Sequence, residues 1–239
     1  MIDTASCTAQ QPTRAQPVRV VMMVRAVAVA VTVTALLLGG CASPPPPRDY
    51  SAFIKARPAS VLVLPPVNDT PEVLATPSVL AQLTLPLAES GYYVLPVSLV
   101  DETLKSNGIQ TAADAHQVTP AKLREIFGAD AVLYVAVKRY GSVYALISSD
   151  TVVTLQAKLV DLRSGELLWD GTATASSAEQ GGGTPGGLVG LLVKAVIDQI
   201  ASNLTERSHP IAGIASNRLL MVDRTGGILP GPRAVAAPK

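Results

Sequence analysis

The run AVLYVAVKRYGSVYALISSDTVVTLQAKLVDLRSGELLWDGTATAS, residues 131–176, decides the fold. Its first seven residues, Ala131 to Val137, are continuously apolar and rich in β-branched side chains, the pattern of a central strand covered on both faces. From Thr151 to Leu162 the pattern changes to alternation. Val153, Leu155, Ala157 and Leu159 fall on one side, Thr154, Gln156 and Lys158 on the other, as a strand with one solvated face requires. Arg163-Ser164-Gly165 supplies a hairpin turn, and Glu166 to Ser176 returns through Trp169. Three consecutive strands on short connections predict an antiparallel meander.

Upstream the pattern is different. Ser60 to Leu64 is a short β-branched run stopped by Pro65 and Pro66, followed by a turn at Asn68-Asp69-Thr70-Pro71. Ser78 to Ser90 sets Val79, Leu80, Leu83 and Leu87 on one helical face, with Pro86 as a kink and Gly91 as the stop. Tyr92 to Pro96 reads as a second strand. Ser98-Leu99-Val100-Asp101 has the S-x-x-D capping pattern and opens a short helix ending at Asn107-Gly108. Thr119-Pro120 is a hydroxyl cap followed by proline in the first turn, and that helix runs to Gly128. Alternating strands and helices argue for parallel pairing. The expected fold is therefore α/β, a single domain with a mixed sheet, its parallel βα part followed by the antiparallel meander.

A C-terminal apolar helix is expected over Leu188 to Leu204, after the glycine-rich stretch Gly181 to Gly187. Leu188, Leu191, Leu192 and Ala195 form one stripe, Val189, Val193, Ile197 and Ile200 a second, and the only charges are Lys194 and Asp198. A helix apolar on two sides is buried either wholly in the core or partly in a subunit contact. Val189, Val193 and Ile197 are the candidate interface, meeting a second copy or a partner lipoprotein. After Glu206 little pattern is visible beyond Leu219-Leu220-Met221-Val222.

The amino-terminal end is an address. Ala26 to Leu38 is thirteen residues without charge, the length of a secretory h-region and short of the roughly 20 that a spanning helix needs. Arg14, Arg19 and Arg25 precede or open it against the single acid Asp3. This n-region is long, and Met22 or Met23 would give a compact start. Leu38-Gly39-Gly40-Cys41 resembles the bacterial lipobox, in which the cysteine thiol takes a diacylglyceryl group and cleavage falls before it. Two or three acyl chains at about 0.8 kcal/mol per buried CH₂ make a lasting anchor. Cys41 is thus the expected lipid-attachment residue. Ala42 and Ser43 after it favour the outer membrane by resemblance to enterobacterial sorting rules, and Pro44 to Pro47 form a stiff stand-off. The domain organisation follows: residues 1–40 a lipoprotein signal peptide, 41–59 a lipidated cysteine and Pro-rich linker, 60–206 the α/β periplasmic domain, 207–239 a C-terminal tail.

Composition narrows the chemistry. The 239-residue sequence carries 19 basic and 18 acidic residues. Losing Arg14, Arg19, Arg25 and Asp3 with the leader leaves 16 against 17. There is no basic run, so nucleic acid is not an expected partner. Cys7 falls in the leader and Cys41 carries lipid, so no disulfide is expected. Gly181 to Gly186 fits G-x-G-x-x-G, but Pro185 removes a needed N–H and no βαβ unit follows. With two histidines, His116 and His209, and no further thiol, zinc has too few soft ligands. Counting alone leaves a Ser-His-acid triad open, but no G-x-S-x-G elbow supports one. Asp69, Asp101 and Asp130 sit at turns and caps. No cofactor, no metal and no catalysis are expected.

The lipobox, the VLVLPPVNDTPEV opening, the TPAKLREIFGADAVLYVAVKRYG block and the LVDLRSGELLWDG hairpin resemble a family of bacterial lipoproteins of unknown activity, the neisserial surface-antigen type. The similarity spans about Cys41 to Pro232. It implies a fold distantly similar to curli-secretion-type lipoproteins and the TolB amino-terminal domain, homodimers, and a curli-secretion-like lipoprotein as partner. Two functions fit: a non-enzymatic, outer-membrane-anchored subunit or accessory factor of an envelope transport, secretion or assembly complex with its domain in the periplasm, or a lipid-anchored hydrolase or small-ligand binder.

Overall fold

The computed structural model of the chain describes residues 48–144, 149–181, 204–222 and 226–234. In chain order the described elements are α1 (Ser51–Ala56), β1 (Ser60–Val63), β2 (Val67–Asn68), α2 (Ala75–Glu89), β3 (Tyr93–Val94), α3 (Val97–Ser106), α4 (Ala112–Gln117), α5 (Pro120–Phe127), β4 (Ala131–Tyr144), β5 (Ser149–Asp161), β6 (Leu167–Ser176), α6 (Ala178–Gly181) and α7 (Leu204–Leu220). One mixed sheet runs β3-β1-β4-β5-β6, with β2 also paired to β4. β1 is parallel to both β3 and β4, β2 is parallel to the far half of β4, and β4, β5 and β6 are antiparallel in sequence. The mixed α/β sheet, expected from the upstream parallel βα part and the meander together, is the one observed.

Two cores explain why the strands read differently. On the first face, Val61, Leu133, Leu155 and Trp169 belong to one cluster with Phe53 of α1, Leu83 of α2 and Ile211 of α7. On the second face, Leu62 and Val132 pack with Val100 of α3, Ala115 of α4 and Leu123 of α5. β1 and the start of β4 are therefore buried on both sides and appear as unbroken apolar runs. The second-face core takes in nothing of β6 and only Val160 of β5, and Gln156, Lys158, Thr172 and Thr174 take alternate exposed positions there. β4 is longer than its apolar run. A register shift between Val137 and Arg139 returns Tyr140 to the core side.

Local signals set several boundaries. The Thr119 side chain accepts from the Lys122 N–H, Pro120 occupies the first turn, and Gly128 closes α5 at φ 66°, where its N–H reaches the Arg124 carbonyl at 2.8 Å. The cap expected at Ser98 is not formed. α3 begins one residue earlier, after Pro96, with no side-chain cap bond, and Asp101 pairs instead with Lys105 at 2.5 Å. α2 begins at Ala75 rather than Ser78, because Pro77 still lies in the first turn, where its missing N–H has no helical partner to lose.

Three segments depart from the reading above. Phe53, in the stretch assigned to the linker, is 4% exposed and in the core. Asn68, expected to open a turn, instead forms with Val67 a two-residue strand on β4. The stretch after Glu206 is not a patternless tail: α7 runs to Leu220 and buries Ile211, Ala212, Ala215 and Leu219. The helix expected over Leu188 to Leu204, with Val189, Val193 and Ile197, lies outside the described residues save Leu204, the first residue of α7. So does Cys41.

Residues 226–234 form a strap across the domain. Trp169 Nε1 donates to the Gly226 carbonyl at 3.0 Å, Tyr50 to Gly227 at 2.5 Å and Tyr92 to Leu229 at 2.5 Å. The Gly231 N–H then bonds Ser90 O at 2.8 Å and the Arg233 N–H bonds Gly91 O at 3.1 Å. Burial pushes the Tyr92 phenol well above its ordinary range, so it stays a donor at any physiological pH. At the opposite edge, β6 is closed by an ion pair. Arg218 donates to the Thr174 carbonyl at 2.7 Å, Glu179 accepts the Ser176 N–H at 3.2 Å, and the two side chains meet at 2.5 Å. One carbonyl and one N–H near the end of this edge strand are thus occupied.

Candidate functional site

The acids at turns and caps hold the frame. Asp130 Oδ2 accepts from the N–H groups of Ala59 and Ser60 and from the Ser60 hydroxyl at 3.0–3.1 Å, while Oδ1 meets the Arg163 guanidinium. Burial raises this carboxyl, but the three donors and Arg163 together outweigh it and hold it below the usual carboxylate range. Asp161 Oδ2 likewise takes the N–H groups of Arg163 and Ser164 and the Ser164 hydroxyl, fixing the β5–β6 turn. Asp69 pairs with Lys138 at 2.7 Å.

The two histidines lie in different clusters. His209 of α7 stands between Ser78 and Gln82, one turn apart on α2. Its Nδ1 is 2.7 Å from Ser78 Oγ and its Nε2 is 2.8 Å from the Gln82 amide, while Tyr140 donates to Ser78 at 2.7 Å. A serine beside a histidine invites comparison with a nucleophile and its base. The third group here is an amide rather than an acid. Ser78 sits inside a helix with its own N–H on the Leu74 carbonyl, and Pro77 before it has none. Free N–H groups of the kind that stabilise an oxyanion are therefore not supplied beside Ser78. The cluster joins α2 to α7.

His116 of α4 borders the second-face groove. The groove has a volume of about 410 Å³ and is lined by His116, Tyr134, Ala136, Gln156, Lys158 and Val160, with backbone of Val135 and Ala157 as floor. Tyr134 lies opposite Lys158, and Ala136 opposite Gln156, in the β4–β5 register. Cross-strand neighbours at such positions have Cβ atoms about 4.5–5.5 Å apart, so the three polar side chains share one patch. The His116 ring is edge-on to Tyr134 at 5.2 Å, and its Nε2 is 3.0 Å from the Pro65 carbonyl. A carbonyl can only accept, so Nε2 carries the proton and Nδ1 is an acceptor. Desolvation lowers the imidazole pKa and outweighs the opposing pull of the Pro65 carbonyl. His116 is neutral at pH 7.

This has a measurable consequence. In the unfolded chain the imidazole titrates near about 6.5, in the folded domain lower. Between those values the unfolded state binds a proton that the folded state does not, so acidification favours unfolding. His116 therefore contributes stability that is fully present above about pH 6.5 and falls away as pH drops toward the folded pKa. Urea unfolding at pH 7.5 and pH 5.5 reads it directly. His116→Gln, which keeps a side-chain N–H for Pro65, should flatten that part of the pH profile; an unchanged slope would mean that the ring does not titrate differently on folding.

Sequence reasoning did not find this groove. Its walls come from α4, β4 and β5, and none of their residues forms a local motif. Only the alternation that puts Gln156 and Lys158 on the solvated side was visible. Comparison with known proteins adds the family. Residues 48–233 match the family described as "Putative lipoprotein GNA1162-like". The "Putative lipoprotein NMB1124/NMB1162" of Neisseria meningitidis is 47% identical over 190 residues, 80% of this chain and 87% of that protein. The crystal structure of lipoprotein GNA1162 from Neisseria meningitidis is 48% identical, covering 61% of this chain and all of that one at a TM-score of 0.49. The matched stretch takes in the strands, the groove and the strap alike, and this chain belongs to the GNA1162-like lipoprotein family.

Proposed function

We propose that the chain is an outer-membrane-anchored lipoprotein that works without catalysis, as a subunit or accessory factor of a cell-envelope transport, secretion or assembly complex. The observation that carries this reading is the second face of the meander. Thr154, Thr172 and Thr174 make a flat polar field across β5 and β6, beyond the groove at His116 and outside the second-face core of α3, α4 and α5. A broad flat field suits a protein partner better than a small substrate, which needs a concave site with converging groups. Membership of a lipoprotein family and the lipobox at Cys41 support the anchor. The partner is a second copy or a curli-secretion-like lipoprotein, and the candidate contact at Val189, Val193 and Ile197 belongs to the same proposal.

Two measurements test it. Cys41→Ala should accumulate as uncleaved precursor and lose acyl labelling; a wild type that fractionates with membranes yet takes no label would remove the anchor. Thr172→Glu, on an exposed strand position, should leave unfolding unchanged while abolishing co-purification of partners from solubilised membranes. Equal recovery of the same partners by the variant would move the contact elsewhere.

A further inference from the structure

We infer that the His116–Lys158 groove is a receptor for a carboxylate-terminated chain, the free end of a peptide or of a protein tail. The inference deepens the reading of the second face as a docking surface and rests on it only for the protein source. It begins with unspent hydrogen-bonding capacity. The Tyr134 hydroxyl, the Gln156 amide and Lys158 Nζ line one groove, and none of them bonds to another described residue. The backbone beneath them cannot serve a ligand, because Val135, Ala136, Gln156 and Ala157 lie within the β4–β5 ladder. Recognition must come from side chains.

Their charge selects the ligand. Lys158 is the one cation among the lining residues and no acid is among them. Asp170, across the strand from Lys158, is instead paired with Arg48 at 3.1 Å. His116 adds no charge, since its proton is held on Pro65 and burial keeps it neutral. One positive charge flanked by two neutral donors matches a carboxylate monoanion; a phosphate dianion calls for further cations or a fork of N–H groups. Val160, Ala136 and the Tyr134 ring supply an apolar wall of a size for a small aliphatic side chain beside that carboxylate.

The mature chain should be titrated with N-acetyl-alanyl-valine and with its carboxyl-terminal amide, followed by amide chemical shifts. The carboxylate should move resonances at Tyr134, Gln156 and Lys158, and the amide should bind about tenfold or more weakly, the usual loss of a charge-assisted bond. Lys158→Ala should lose a similar factor, and Tyr134→Phe, which keeps the ring against His116, roughly threefold or more. Lys122→Ala on α5 should change nothing. Equal binding of acid and amide, or Lys158→Ala binding as wild type, would overturn the site. Partners held by the lipidated protein decide the source. Release by the dipeptide acid identifies a protein tail, and retention with the dipeptide bound identifies a free peptide end. The titration needs no partner, so its failure leaves the Thr172→Glu result standing, and the reverse holds.

Discussion

Trp169→Ala should lower the stability of the domain by about 3–5 kcal/mol, the range for removing a large buried aromatic side chain. The residue is 2% exposed, and its indole lies so close over Gly171 that a Cβ there would come within 2.4 Å of ring carbon Cζ2. Two losses combine. The cavity opens in the first-face core, and the Gly226 carbonyl loses its donor at the point where the strap begins. Trp169→Phe separates them: it restores much of the volume but no N–H, and should cost about 1–2 kcal/mol more than a pure packing change. Denaturant unfolding measures both. As the sequence holds one tryptophan, far-ultraviolet dichroism must be the probe for the variants. An alanine variant with an unchanged midpoint would mean that the indole fills no core.

Gly91→Ala should rank beside it. Gly91 adopts φ +89°, a conformation that costs an L side chain about 1–3 kcal/mol. There is also no space. A Cβ at residue 91 would stand 2.1 Å from the Ala234 nitrogen, and one at Gly231 would stand 2.5 Å from the Gly91 oxygen. These are backbone atoms, so no rotamer change relieves them, and overpacking adds about 1–3 kcal/mol more. The cheaper response is for the strap to lift. Hydrogen exchange should then show lost protection at Gly231 and Arg233, whose N–H groups bond Ser90 and Gly91, before global unfolding. Retained protection in Gly91→Ala would contradict the tight crossing.

What was legible in the sequence was what short stretches decide for themselves. Thr119, Pro120 and Gly128 delimit α5 because a hydroxyl cap, a first-turn proline and a left-handed stop act within one helix. The meander was legible because alternation has a period of two and held from Val153 to Leu159. Its full length was not, because the register shift after Val137 breaks that parity just where β4 continues. α7 escaped notice for a packing reason. It packs on α2 and the sheet, and its buried face mixes Ala212, Ala215 and Ser216 with Ile211 and Leu219, so that small side chains dilute the apolar stripe. Pro210 inside it further disguises a helix. Phe53 lay with Tyr50 in a short stretch between prolines, indistinguishable from linker until the core it enters is known. The groove depends on Tyr134 and Lys158 being opposite in register and on α4 lying over them, relations of tertiary structure with no local signature.

The strap also sets an order of events. A ribosome delivers residues 50, 92 and 169 long before residues 226–229, so the donors on Tyr50, Tyr92 and Trp169 wait for acceptors that arrive last. Ile228, wholly buried in the finished domain, emerges with those acceptors. A nascent chain therefore cannot close its larger core until residues 226–229 have followed, however early its first strands pair. Until residues 226–229 arrive, the chain lacks these closing hydrogen bonds and keeps the openness of an unfinished domain.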